Sequence, residues 1–150
     1  MCLSALVANT HYEMKETKLL VQAAKEAQKN AYAPYSKFKV GAAVLTTKGK
    51  VFTGCNIENA SYGLTVCAER VAIFKAVSEG HRNFKAIAIT AQQTGRPADR
   101  QTELTYPCGA CLQVMAEFAP GIAIILSNGR GKTKTLKLKN LLPKQFKLKE

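Results

Sequence analysis

The sequence predicts a layered α/β domain, and three observations point to it. Stretches with apolar residues three and four apart alternate along the chain with shorter strand-like stretches, the order expected when helices pack on a sheet. Two of the strand-like stretches, Ala86-Ile87-Ala88-Ile89-Thr90 and Ile122-Ala123-Ile124-Ile125-Leu126, are almost wholly apolar, as strands buried on both faces are. Breakers fall between the periodic stretches, at Pro34, Gly80 and Ala119-Pro120-Gly121.

Residues 1–14 show no clear period and are expected as a surface extension of a single domain spanning 1–150. A helix is expected over 17–30, where Leu20, Ala23, Ala24, Ala27 and Ala31 form a narrow stripe of small side chains suited to close packing. Pro34 ends it in a loop with two tyrosines and a serine. Residues 38–45 and 51–56 flank Lys48-Gly49-Lys50 and read as a hairpin. Extended backbone puts Asn56 and Glu58 on one face, so both can reach one ligand; turn hydrogen bonds made by Asn56 and Asn59 are the alternative. A second helix opens at Cys67 and stops at Gly80. Residues 92–105, polar and holding Gly95, Pro97 and Asp99, read as a long loop. A third helix opens at Cys108. After the strand 122–126 and the turn Asn128-Gly129-Arg130-Gly131, residues 133–138 read as an edge strand whose lysines discourage further pairing. From 141 to the end a short helix and tail are expected.

Chemistry concentrates in Cys67-Ala68-Glu69-Arg70 and Pro107-Cys108-Gly109-Ala110-Cys111. Both open helices, and a helix N-terminus carries partial positive charge that favours the thiolate, the form that binds metal. Soft sulfur ligands in a non-redox site select zinc. Cys2, Cys55, His11 and His81 have no spacing that would complete a closed four-ligand site, so an open site is expected, with Cys2 a free thiol, Cys55 a small buried side chain and the histidines on the surface. Glu69 then gains a role: a carboxylate beside a metal-held water can take its proton and pass it on. Arg70 stands one turn from Cys67, where it would either offset thiolate charge or be an ordinary solvated helix residue.

Cys-Ala-Glu followed by Pro-Cys-Gly-x-Cys resembles the zinc-dependent cytidine deaminases of the small homotetrameric, three-cysteine type. The likeness runs over about 17–146 and takes in Tyr32-Ala33-Pro34-Tyr35-Ser36-Lys37-Phe38, Gly54-Cys55-Asn56-Ile57-Glu58-Asn59 and Leu141-Leu142-Pro143. It implies a three-layer fold with a mixed five-stranded sheet and helices on both faces. It also implies one Zn²⁺ per subunit on Cys67, Cys108 and Cys111, and hydrolytic deamination of cytidine or deoxycytidine in pyrimidine salvage with Glu69 as acid and base. Asn56 and Glu58 would bind the ribose hydroxyls and the backbone beside Ala68 the base. Phe38 would line the pocket, while Phe146, Ala60 and Tyr62 would reach the site of an adjacent subunit; on composition alone both phenylalanines read as core. The sequence departs from the pattern at Leu112, where an arginine is common, so that this position either alters the charge near the thiolates or merely packs. Three rivals stand beside this reading. One is a blasticidin S or other cytosine-analogue deaminase. Another is a polynucleotide deaminase, whose signature begins with His rather than Cys. The last, a non-catalytic zinc-stabilised nucleic-acid-binding module, leaves Glu69 without a role.

Composition sets the outer bounds. At 150 residues and 47% hydrophobic, the chain can bury a core, and no apolar run nears the ~20 residues of a membrane span. Five cysteines, three claimed by metal, suit a reducing compartment, and the cytoplasm is expected. The formal charge of +12 permits polyanion binding, but the lysines alternate with other residues over 132–139 and 144–149, the pattern of a solvated face, so nucleic acid is not the expected partner.

Overall fold

The computed structural model describes residues 3–97 and 100–148. Cys2 and Asp99 lie outside the described residues, and of His11 only the backbone is described. The elements are α1 (Leu3–Lys29), β1 (Phe38–Thr46), β2 (Val51–Cys55), α2 (Ala68–Ser78), β3 (Phe84–Gln93), α3 (Gly109–Phe118), β4 (Ala123–Ser127), β5 (Thr133–Lys137) and α4 (Leu138–Leu141), with a 3₁₀ turn at Tyr62–Leu64. The strands form one mixed sheet in the order β2-β1-β3-β4-β5, with β3 and β4 parallel and the other neighbours antiparallel.

Strand alternation sorts the core into two halves. Ala42, Val44, Ile87, Ile89, Ile124 and Leu126 face one way and pack with Ala72, Ile73 and Ala76 of α2 and Met115 and Ala116 of α3. Ala43, Leu45, Ala86, Ala88 and Ile125 face the other way, against Leu20, Val21 and Ala24 of α1. The three layers are therefore helix, sheet and helix pair. Three of the α1-side sheet residues are alanines, which lets α1 lie close. At Gly41 of β1 a Cβ would sit 2.0 Å from the carbonyl oxygen of Ala24, so only glycine fits. Gly54 of β2 does the same for α2, where a Cβ would meet the Ala68 oxygen at 2.5 Å and the Ala72 nitrogen at 2.6 Å.

The structure departs from the expectations in five places. α1 begins at Leu3, well before residue 17, and includes most of the stretch expected as an extension. Its buried stripe runs through Gln28 rather than Ala27, because the Gln28 amide donates to the Lys39 carbonyl (2.9 Å) and so has a partner in the core. α4 ends at Leu141 instead of starting there: Leu138 is anchored in the core, and Pro143 biases Leu142 away from helical backbone (φ −135°, ψ 76°), which ends the helix. His81 is half-buried, its ring centroid 5.1 Å from that of Phe52. Cys55 is half-buried rather than fully buried.

The end of α2 follows from Gly80 at φ +85°, which lets the His81 amide reach the Ala76 carbonyl (3.0 Å) and the Gly80 amide reach that of Val77 (3.1 Å). The long loop after β3 is tethered at two points. Buried Gln101 accepts from the Gln93 amide (2.9 Å) and donates to the Arg96 carbonyl (2.7 Å). Asn128 donates to the Thr102 carbonyl (2.6 Å) and accepts from the Arg130 and Lys132 amides. No helix among the described residues is long and apolar enough to cross a membrane.

Candidate active site and metal centre

Cys67 and Cys108 are the N-cap residues of α2 and α3, both in extended backbone (ψ 153° and 166°), and Cys111 lies in the first turn of α3. Packing of the two helices on one face of the sheet brings their N-termini together. The sulfur of Cys67 is 3.8 Å from that of Cys108, which is 3.6 Å from that of Cys111, and all three ligand atoms lie within 4.8 Å of one another. Sulfurs on a tetrahedral zinc with bonds of about 2.3 Å stand about 3.8 Å apart, so the donor set and its spacing fit that ion. Cys111 is buried, Cys67 half-buried and Cys108 exposed. The cluster therefore opens outward, and a fourth ligand has access from the Cys108 side.

The thiols are unequal. The Cys67 group is held down at about 5, first by a hydrogen bond from the Cys111 thiol and then by the Arg70 guanidinium, despite its partial burial. Cys111 is pushed well up, because its proton is shared with Cys67 and because it is buried. Arg70 donates from Nη2 to the Cys67 sulfur (3.6 Å) and to the Thr65 carbonyl (3.1 Å), so it faces the thiols and is not a solvated residue. Leu112 packs in the core beside α2 (8% exposed). Glu69 follows Cys67 by two residues and is 5% exposed. Burial pushes its carboxyl up to about 7, with the Cys67 charge adding to the effect.

Asn56 and Glu58 lie on the segment that leaves β2. Asn56 Nδ2 donates to the Phe38 carbonyl (2.9 Å) and its Oδ1 accepts from the Val40 amide (2.8 Å), so its side chain pins the start of β1. Glu58 Oε2 accepts from the Tyr35 and Ser36 amides (3.0 and 3.2 Å), and the hydrogen bonding, led by Ser36, keeps its carboxyl below the usual range. The expectation of turn hydrogen bonds holds for Asn59, whose Oδ1 accepts from the Ser61 amide (2.8 Å), and not for Asn56, whose partners lie on β1. Phe38 is half-buried beside them, and Ala68 is fully buried at the start of α2. Ala60 and Tyr62 are exposed, Tyr62 packing edge-on to Tyr35. Phe146 is 68% exposed and lies over the outer face of α3, its carbonyl accepting from Gln113 Nε2 (3.0 Å).

Two supports were not legible in the sequence. The Thr65 carbonyl holds Arg70, and paired bonds between Ile57 and Val66 (2.9 and 3.0 Å) fasten the Asn56–Glu58 segment to the residue before Cys67. Both are backbone partners in irregular chain, for which residue type carries no signal.

The model of the cytidine and deoxycytidylate deaminase zinc-binding region matches residues 14–126. A cytidine deaminase of Halalkalibacterium halodurans is 48% identical over 132 residues, covering 87% of this chain and 94% of the relative. The crystal structure of cytidine deaminase from Burkholderia pseudomallei superposes with a TM-score of 0.77 at 48% identity, over 86% of this chain and 98% of that one. A blasticidin-S deaminase of Bacillus cereus is more distant, 31% identical over 111 residues, 74% of this chain and 79% of that one. Because the match takes in all three thiols and the helix that carries Glu69, and reaches nearly end to end in the more similar relatives, the chain belongs to the zinc-dependent cytidine deaminase family.

Proposed function

We propose that this protein hydrolyses cytidine or deoxycytidine to the corresponding uridine, with water adding at C4 of the base and ammonia leaving. The observation that carries the proposal is the cluster of three cysteine sulfurs from α2 and α3 beside a buried carboxyl, Glu69, two residues after Cys67 at the start of α2. Cys67, Cys108 and Cys111 hold the zinc. When bound there, zinc supplies a water whose pKa is brought near neutrality. Glu69 accepts a proton from the attacking water and delivers it to ring N3 as the C4–O bond forms; it then takes the proton of the new C4 hydroxyl and passes it to the amine, which leaves as ammonia when the C4–N bond breaks and the C4 carbonyl forms. Its burial keeps bulk water away from these transfers. Arg70 offsets the thiolate charge, with the Thr65 carbonyl orienting it.

Phe38 lines the pocket, and the backbone beside Ala68, at the N-terminus of α2, orients the base. Glu58 and the unused hydrogen-bonding capacity of Asn56 serve the ribose hydroxyls, in a segment stiffened by the bonds to β1 and Val66. A homotetramer completes the site: Phe146, Ala60 and Tyr62 are exposed in the single chain and reach a neighbour's pocket, and assembly would also cover apolar surface that Phe74 and Leu64 leave in water. We take 1–150 as one deaminase domain working in the cytoplasm, where the thiols stay reduced.

The test is ammonia release by zinc-loaded protein with cytidine, deoxycytidine, blasticidin S, cytosine and single-stranded DNA in parallel. Turnover of the two nucleosides above the others is expected. Zinc-replete protein that is inactive on both nucleosides would overturn the proposal.

A further inference from the structure

On the face of the sheet away from the thiols, a groove of about 530 Å³ separates α1 from the β4–β5 turn. Its floor includes Ser127, which follows Ile125 by two residues and so shares the α1 side of β4. The Ser127 hydroxyl is buried and has no hydrogen-bond partner. A buried hydroxyl left unpaired is unfavourable, so a partner entering the groove is favoured. The α1 wall carries Lys18 and Lys25, seven residues apart and hence on one helix face. Neither makes an ion pair among the described residues, whereas Lys29 pairs with Glu26 and Lys85 with Glu16. The opposite wall is formed at Gly131, where φ +81° and the missing side chain leave room between exposed Arg130 and Lys132. Glu13 is the one acid lining the groove, and Val21 and Met14 give it an apolar strip.

We propose that this groove binds a small phosphate-bearing anion of nucleotide size, at a site separate from the metal centre. The volume lies in the range of small-molecule sites, the lysines face it unpaired, and the apolar strip can cover a ring while Ser127 meets a polar atom. The net charge of +12 draws such ligands to the surface, and two cations along one helix face with an unpaired hydroxyl hold one in place. The family match begins at residue 14, so the turns of α1 that extend past this groove are an addition outside the shared region.

Calorimetric titration of the zinc-loaded protein with uridine triphosphate, and separately with inorganic tripolyphosphate, tests this. Saturable binding of at least one is expected, weakened at least tenfold in Lys18→Glu/Lys25→Glu, with kcat/KM for cytidine in the absence of nucleotide unchanged. Lys25→Gln, the mildest change, should weaken binding in the same direction, and Ser127→Leu should block it by filling the floor. Equal affinity for both probes assigns the site to the phosphate chain, and tighter binding of the nucleotide assigns the apolar strip to the base; either supports the groove. No binding of either probe at millimolar concentration overturns the proposal, as do affinity unchanged in the charge variants and displacement of the probe by saturating cytidine.

Discussion

At the scale of single residues, Glu69 and the thiols are expected to separate cleanly. Glu69→Gln keeps the shape of the side chain but cannot carry a proton. It should lower kcat by about 10²- to 10⁴-fold while zinc stays at one per chain by metal analysis. Retention of a tenth of the parent rate would show that Glu69 is not the proton carrier. Cys111→Ser should behave oppositely, because a buried hydroxyl is a poor replacement for a thiolate on zinc: metal content falls first and activity with it. Full zinc occupancy in that variant would remove Cys111 from the ligand set.

At the scale of elements, glycine decides where the helices sit. Gly54→Ala places a Cβ against the backbone of Ala68 and Ala72, which cannot rotate away as a side chain can. A cost of about 3 kcal/mol in urea denaturation is expected, the upper end for overpacking. Since Ala68 lies between Cys67 and Glu69, zinc affinity should fall too. Gly121→Ala is the matched control, with nothing within 4 Å of the new Cβ, and should change stability by less than about 0.5 kcal/mol. The loop before α3 has its own lock in Asn128, whose amide holds three backbone groups. Asn128→Ala should cost about 2 kcal/mol by the same measurement, since it strands buried polar groups; a change under about 0.5 kcal/mol would mean that the tether does not hold the loop.

At the scale of the whole molecule, the isolated chain leaves apolar surface in water around Phe74, Phe118 and Phe146, which line one groove on the outer face of α2 and α3. Deleting residues 143–150 should reduce the mass in solution and raise KM, because Phe146 is proposed to complete a neighbour's pocket. An unchanged mass together with an unchanged KM would return Phe146 to ordinary surface packing.

Much of this molecule was determined by its sequence alone. Nearly continuous apolar runs specified β3 and β4 as strands buried on both faces, and the two cysteine motifs specified the helix starts, because local backbone preference and side-chain period act over a few residues. The identities of Cys67, Glu69, Cys108 and Cys111 were legible for the same reason: the chemistry resides in residue type. Tertiary structure decided everything that depends on what lies opposite. It turned Gln28 inward in place of Ala27, gave Asn56 the task of pinning β1, engaged Glu58 with the Tyr35 and Ser36 amides, and set Leu112 in the core. It also carried α1 back to Leu3 across a stretch with no apolar period, since a helix once nucleated extends residue by residue at little cost. A polar side chain settles wherever an unpaired backbone group needs it, and that partner is supplied by the fold.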